Sequence, residues 1–132
     1  MSAFEVGDAL PELHVTPDSG LTKRYAEASG DPNPIHVDPD FAKKVGLPGV
    51  ILHGLYSMAQ VARAHTNIGD GDPRSLKRLA VQFRGMGFPE QEIVVTATVT
   101  SADDGRITTE TVAAQGSNRI IRNAEAELQL PE

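Results

Sequence analysis

The stretch Gly49-Val50-Ile51-Leu52-His53-Gly54-Leu55-Tyr56-Ser57-Met58-Ala59-Gln60-Val61-Ala62-Arg63-Ala64-His65 decides how the rest of the chain is arranged. Its polar residues are few and its apolar ones surround the helical axis, so it reads as a core helix wrapped on several sides. The helix is entered through His53-Gly54, and its first N–H groups have no intrahelical acceptor. Gly54 has no Cβ, so a ligand oxygen can approach its N–H closely at the positive end of the helix dipole. Carbonyl chemistry needs such a donor where negative charge develops.

Downstream of this helix the period changes. Residues 79–84 place their larger apolar side chains on alternate positions, residues 91–101 and 107–115 are rich in Val, Ile and Thr, and residues 124–130 alternate cleanly. These segments predict strands. Breaks fall at 85–89, 103–105 and 116–118, with hairpin turns expected at Asp104-Gly105 and Ser117-Asn118 because these residue types tolerate positive φ. Upstream, a short strand is expected within residues 4–15, then a turn at 16–20 and a helix over 21–29. A short helix is expected over 39–45, with Asp38 as N-cap, Pro39 at its first position and Gly46 closing it. One buried helix followed by successive antiparallel strands gives an α+β fold whose sheet curls around the helix. Periodicity alone leaves other α+β arrangements open. Residues 69–73 read as the loop between helix and sheet, and with no repeat or linker the chain reads as one domain over 1–132.

The segment Ser29-Gly30-Asp31-Pro32-Asn33-Pro34-Ile35-His36 sets an acid and an imidazole five residues apart on a backbone stiffened by two prolines. Asp31 and Asn33 each precede Pro and are biased against helix, while Gly30 permits the preceding helix to stop. An acid and a histidine held on such a turn can share one water molecule and move protons to or from it.

This run, followed by His53-Gly54 at a helix start, resembles the MaoC-like family of hot-dog-fold dehydratases, including R-specific enoyl-CoA hydratases of the hydratase 2 type. The likeness runs along nearly the whole chain. It implies a single hot dog domain and a hydro-lyase that reversibly adds water to a trans-2-enoyl thioester. His36 and Asp31 would activate the water and exchange the α-carbon proton, and the Gly54 N–H would hold the thioester oxygen. The substrate implied is an acyl thioester of coenzyme A or acyl carrier protein, including steroid side-chain thioesters, with R configuration at the hydroxyl carbon. No cofactor and no metal are implied. The family includes homodimers and heterodimers in which one partner bears the Asp and His; this chain bears both. A sheet edge and an uncovered channel wall also favour at least a dimer.

Around that core, Asn33, His53 and Ser57 are assigned to substrate binding. The Asn33 amide either orients His36 or the water, or only holds the turn. His53 is expected to support the helix entrance, since one imidazole already suffices. Ser57 lies one helical turn beyond it and could reach the carbonyl region, against a buried hydroxyl bonding back to its own helix as the plainer reading. Tyr25 is read as packed, and His14 and His65 are given no role. Asp31, His36, Asp38 and His53 can be assembled on paper into a metal set, but their spacing matches no zinc motif. Arg63, Arg74, Lys77, Arg78 and Arg84 are candidates for phosphate contacts, against ordinary surface charge as the plainer reading.

Composition narrows the classes. In 132 residues there is no cysteine, which excludes disulfides, a thiolate nucleophile and a Cys-type zinc site. A formal charge of −6 argues against a nucleic-acid footprint. The first eight residues lack the basic start and apolar core of a signal peptide, and no apolar run is long enough to span a bilayer, so a cytoplasmic protein without membrane partners is expected. A hot-dog thioesterase is the rival enzyme class. It would use an acid on or near the central helix, and no Asp or Glu lies between Leu52 and Asn67. A noncatalytic acyl-binding subunit would be expected to lack the Asp/His pair.

Overall fold

The computed structural model describes residues 4–130. Met1 to Ala3, which open the segment read as lacking a signal peptide, lie outside the described residues. The chain enters through a short strand, β1 (Leu13–Val15), and three helices, α1 (Leu21–Ser29), α2 (Pro34–Val37) and α3 (Pro39–Lys44), before the central helix α4 (Gly54–Thr66). Single 3-10 turns at Asn67–Gly69 and Pro73–Ser75 tighten the connection to β2 (Leu76–Phe83), which is followed by β3 (Ile93–Asp103), β4 (Arg106–Gln115) and β5 (Asn118–Gln129). The strands form one five-stranded sheet in the order β1-β3-β4-β5-β2, with every pair antiparallel.

Helix α4 lies against the inner face of that sheet. Val61 and Ala64 pack with Ile93, Val95, Ala113 and Ile121 in one apolar cluster, and Val99, Ile107 and Leu128 anchor a second. The fold is α+β, an antiparallel sheet curled on a central helix, and it is the hot dog arrangement that the motif resemblance implied. No helix among the described residues is long and apolar enough to cross a membrane.

Local details differ from the sequence reading in three places. Residues 34–37 form a helical turn where only a loop was expected, because Asn33 caps it and Pro34 supplies its first position. The last hairpin turns at Gly116-Ser117 rather than Ser117-Asn118, with only Gly116 in the left-handed region (φ 60°). Strand β5 begins at Asn118, well before residue 124. Its first half hides from periodicity because Ile120 and Ile121 are both buried across a register irregularity in the β4–β5 pairing. The Asp104-Gly105 turn forms as expected, with φ of 49° and 79°. Asp38 caps α3 by accepting from the N–H groups of Asp40 (3.1 Å) and Phe41 (3.2 Å).

Candidate active site

Gly30 ends α1 in the left-handed region (φ 73°), and its N–H donates to the Ala26 carbonyl at 3.0 Å. The chain then turns through Asp31-Pro32-Asn33-Pro34. Asp31 Oδ1 accepts from the Asn33 N–H (3.3 Å), and Asn33 Oδ1 in turn accepts from the Ile35 N–H (3.2 Å) as the cap of α2. The Asp31 carboxylate therefore keeps Oδ2 without a protein partner among the described residues. One turn of α2 carries His36 inward.

His36 is 8% exposed, and its Nδ1 lies 2.7 Å from the Ile51 carbonyl oxygen. A carbonyl only accepts, so Nδ1 carries a proton, and in the neutral form of the ring the lone pair lies on Nε2. The Ile51 N–H returns a bond to the Ile35 carbonyl (3.1 Å), and the Leu52 N–H reaches the Gly87 carbonyl (2.8 Å). These bonds hold the segment before α4 between α2 and the loop after β2. A carboxylate oxygen of Asp31 and one ring nitrogen each from His36 and His53 lie within 4.8 Å of one another.

His53 precedes α4 in extended geometry (φ −63°, ψ 136°) and makes no side-chain cap. The Gly54 N–H, at the first helical position where no intrahelical carbonyl is within reach, has no acceptor among the described residues. A Cβ there would lie 3.2 Å from the Phe83 ring, close enough that the ring would have to shift, so proximity favours glycine. A cavity of about 270 Å³ opens over this point, walled by Tyr25, Ser29, Asp31, His53, Gly54, Leu55 and Phe83. Leu55 (64% exposed) and Phe83 (50%) leave uncovered apolar surface in its wall, and Met86 (44%) is exposed in the loop after β2. A larger cleft of about 470 Å³, between residues 48–50 and 88–91, holds no acid–imidazole pair.

His53 stacks on His36 with ring centroids 3.9 Å apart at 21°, and Tyr25 packs on His53 at 4.6 Å. Burial pushes the His53 pKa below its ordinary value, opposed by a hydrogen bond to the Asp31 backbone carbonyl and reinforced by the neighbouring His36. The stack also makes the trio a poor metal site. Nearly parallel rings project their in-plane lone pairs side by side, whereas a tetrahedral ion needs ligands that converge. Ser57 Oγ, one turn along α4, is buried without a partner among the described residues, as is His53 Nδ1.

Of the cationic candidates, Arg74 pairs with Asp72 (2.9 Å) and Arg78 with Glu125 (3.0 Å). Arg63 and Arg84 bond Gln60 and Gln82, and neither they nor Lys77 lines the cavity beside Asp31. Sequence reasoning missed Leu55 and Phe83 as cavity walls. Phe83 ends an alternating strand, and no pattern in the chain ties position 83 to position 54.

The model of the MaoC like domain family matches residues 6–119. The fatty acid synthase beta subunit hexB of Dothistroma septosporum is 34% identical over 113 residues, which is 83% of this chain and 6% of that protein. The peroxisomal enoyl-CoA hydratase 2 of Arabidopsis thaliana is 39% identical over 84 residues, 63% of this chain and 26% of that one. Among solved structures, a MaoC-like dehydratase superposes with a TM-score of 0.90 at 29% identity, covering 98% of this chain and 41% of the other. The chain thus spans only a small part of these curated relatives. With a family match over most of its length, this chain belongs to the MaoC-like dehydratase family.

Proposed function

We propose that the protein is a hydro-lyase that reversibly adds water to a trans-2-enoyl thioester, giving the R-3-hydroxyacyl thioester, with residues 1–132 acting as one domain. The observation that carries this reading is the approach of an Asp31 oxygen and imidazole nitrogens to within 4.8 Å beside the unpaired Gly54 N–H. In the hydration direction a water molecule sits between Asp31 and His36. Its oxygen bonds to the β-carbon while one of its protons passes to the pair, and the pair returns a proton to the α-carbon. The π electrons of the alkene become the new C–H bond by way of an enolate, whose oxygen accepts from the Gly54 N–H. Losing one donor of this kind costs ~3–4 kcal/mol of barrier. The two groups act as a unit, so neither is assigned a single proton. Asn33, His53 and Ser57 shape the binding site around them.

The carrier is coenzyme A or an acyl carrier protein. The named activity of the Arabidopsis relative favours the first, and the fatty acid synthase relatives favour the second. A second hot dog chain, identical or related, is proposed to cover the apolar surface of Leu55, Phe83 and Met86 and the free edge of β2. Incubation with trans-2-enoyl-CoA tests the reaction. A product heavier by one water, of R configuration and without free thiol, is expected; release of free thiol from an unhydrated substrate would instead favour the thioesterase.

A further inference from the structure

Three properties of His53 go unused when Asp31, His36 and Gly54 have their tasks. Its ring is 3% exposed and stacks on the ring of His36 at 3.9 Å. Its Nε2 lies 3.3 Å from the Asp31 backbone carbonyl, and because a carbonyl only accepts, the proton resides on Nε2. Nδ1 is then an acceptor, buried and without a partner, and the hydroxyl of Ser57 is a buried donor without a partner one helical turn away.

We propose that His53 is a positioning residue for the acid–imidazole pair, a flat plate that clamps the Asp31 loop to the first turn of α4 and fixes the face of the His36 ring. The proposal rests on the hydration reading for the task it serves, which is proton transfer by Asp31 and His36. The three working groups come from three different elements: Asp31 from the α1–α2 loop, His36 from α2 and Gly54 from α4. Among the described residues, the bond from His53 Nε2–H to the Asp31 carbonyl is the direct hydrogen bond between residue 31 and the start of α4. It therefore sets the separation between the carboxylate and the Gly54 donor. His36 is held in its ring plane by Ile51, and the His53 plate supplies the constraint perpendicular to that plane.

The plate also has to be uncharged. Whenever the pair's proton resides on His36 that ring is a cation, and a neutral imidazole against its face tolerates this where an imidazolium would repel it. The titratable groups around His53 are Asp31, His36 and Tyr25 from other elements, with Tyr56 edge-on behind Tyr25. Burial lowers the His53 pKa in their presence, which favours the neutral ring. Through one buried water the Ser57 hydroxyl suits the remaining acceptor, which would lock the Nε2–H tautomer.

Two variants separate the plate from the clamp. His53→Phe keeps a flat neutral ring and loses the N–H donor, while His53→Gln keeps a donor and loses the ring. Both are expected to lower kcat on trans-2-enoyl-CoA by roughly 10- to 100-fold while KM stays within about threefold, and to move the acid limb of the kcat–pH profile. Nitrogen-15 spectra of the imidazoles in the wild-type protein give a readout independent of turnover. His53 is expected to carry its proton on Nε2 and to stay neutral through the pH range in which the exposed His14 ring titrates. A folded variant with wild-type kcat and an unmoved acid limb would overturn the proposal, as would a His53 ring protonated on Nδ1 or titrating like an exposed imidazole. Absence of any hydration by the wild-type protein would defeat the hydration reading instead, and the spectra would then decide the His53 geometry by themselves.

Discussion

At the scale of single residues, the contact between Gly54 and Phe83 links the proposed oxyanion donor to the wall of the cavity. Gly54→Ala keeps the N–H but sets a methyl group 3.2 Å from the Phe83 ring, so the ring must swing into the cavity or away from it. The expected outcome is a several-fold rise in KM with a smaller fall in kcat, the signature of altered binding with the backbone donor intact, on the order of 1 kcal/mol in kcat/KM. A second change, Phe83→Leu, is expected to restore KM by removing the ring. Steady-state kinetics on the single and double variants check this, and equal effects of Gly54→Ala with and without Phe83 would contradict it. The acid and the imidazole were visible in the sequence because two prolines and a glycine constrain the segment that bears them. The stacking of His53 on His36 was not, since it depends on how α2 meets the segment before α4.

At the scale of elements, α4 is tied to the sheet by a polar contact within an otherwise apolar interface. His65 is fully buried; its Nδ1–H donates to the Val61 carbonyl (2.7 Å) and its Nε2 accepts from the Thr109 hydroxyl (2.7 Å) on β4. Burial holds the imidazole neutral by pushing its pKa below the ordinary 6.5. The unfolded chain takes up this proton near the ordinary value and the folded chain does not. Stability from this site is thus complete above that pH and declines as pH falls below it. Urea unfolding between pH 7.5 and 5 is expected to show a shallower loss of stability in His65→Gln than in the wild type. The difference between the two isolates His65 from His53, which acts with the same sign, and from His14, whose pKa is raised by Glu12 and Glu92 and which acts with the opposite sign. Identical pH slopes would remove His65 from the account. The sequence reading gave His65 no role because its partners lie 44 and 46 residues away on β4. The Asp38 cap, by contrast, was legible because Asp38 and Pro39 act on adjacent backbone, whereas the helix over 21–29, modest in its apolar period, rested mainly on the motif resemblance. The start of β5 was not legible, because its bulged pairing breaks the alternation by which strands are recognised.

At the scale of the whole molecule, the sheet ends at β1 and β2 with no further strand among the described residues, and the apolar residues Leu55 and Phe83 lie open in the wall of the cavity that holds Asp31, with Met86 exposed in the loop after β2. A second chain over that surface would both pair an edge and close the wall. Size-exclusion chromatography with light scattering is expected to give at least a dimer; a fully active monomer would contradict this. The helix-then-strands order, and with it a sheet curled on one buried helix, was legible from the change of period after α4, but period alone left other α+β arrangements open, and the motif resemblance selected the hot dog one among them. The central claim concerns the acid and imidazole acting together on one water. Its most direct test is the turnover number of wild type, Asp31→Asn, His36→Ala and the double variant, followed by loss of enoyl absorbance with a trans-2-enoyl-CoA. Each single variant is expected to lose roughly 10²- to 10⁴-fold and the double variant little more than the worse single one, because the two groups work as a unit. Wild-type turnover in both folded single variants would contradict the account.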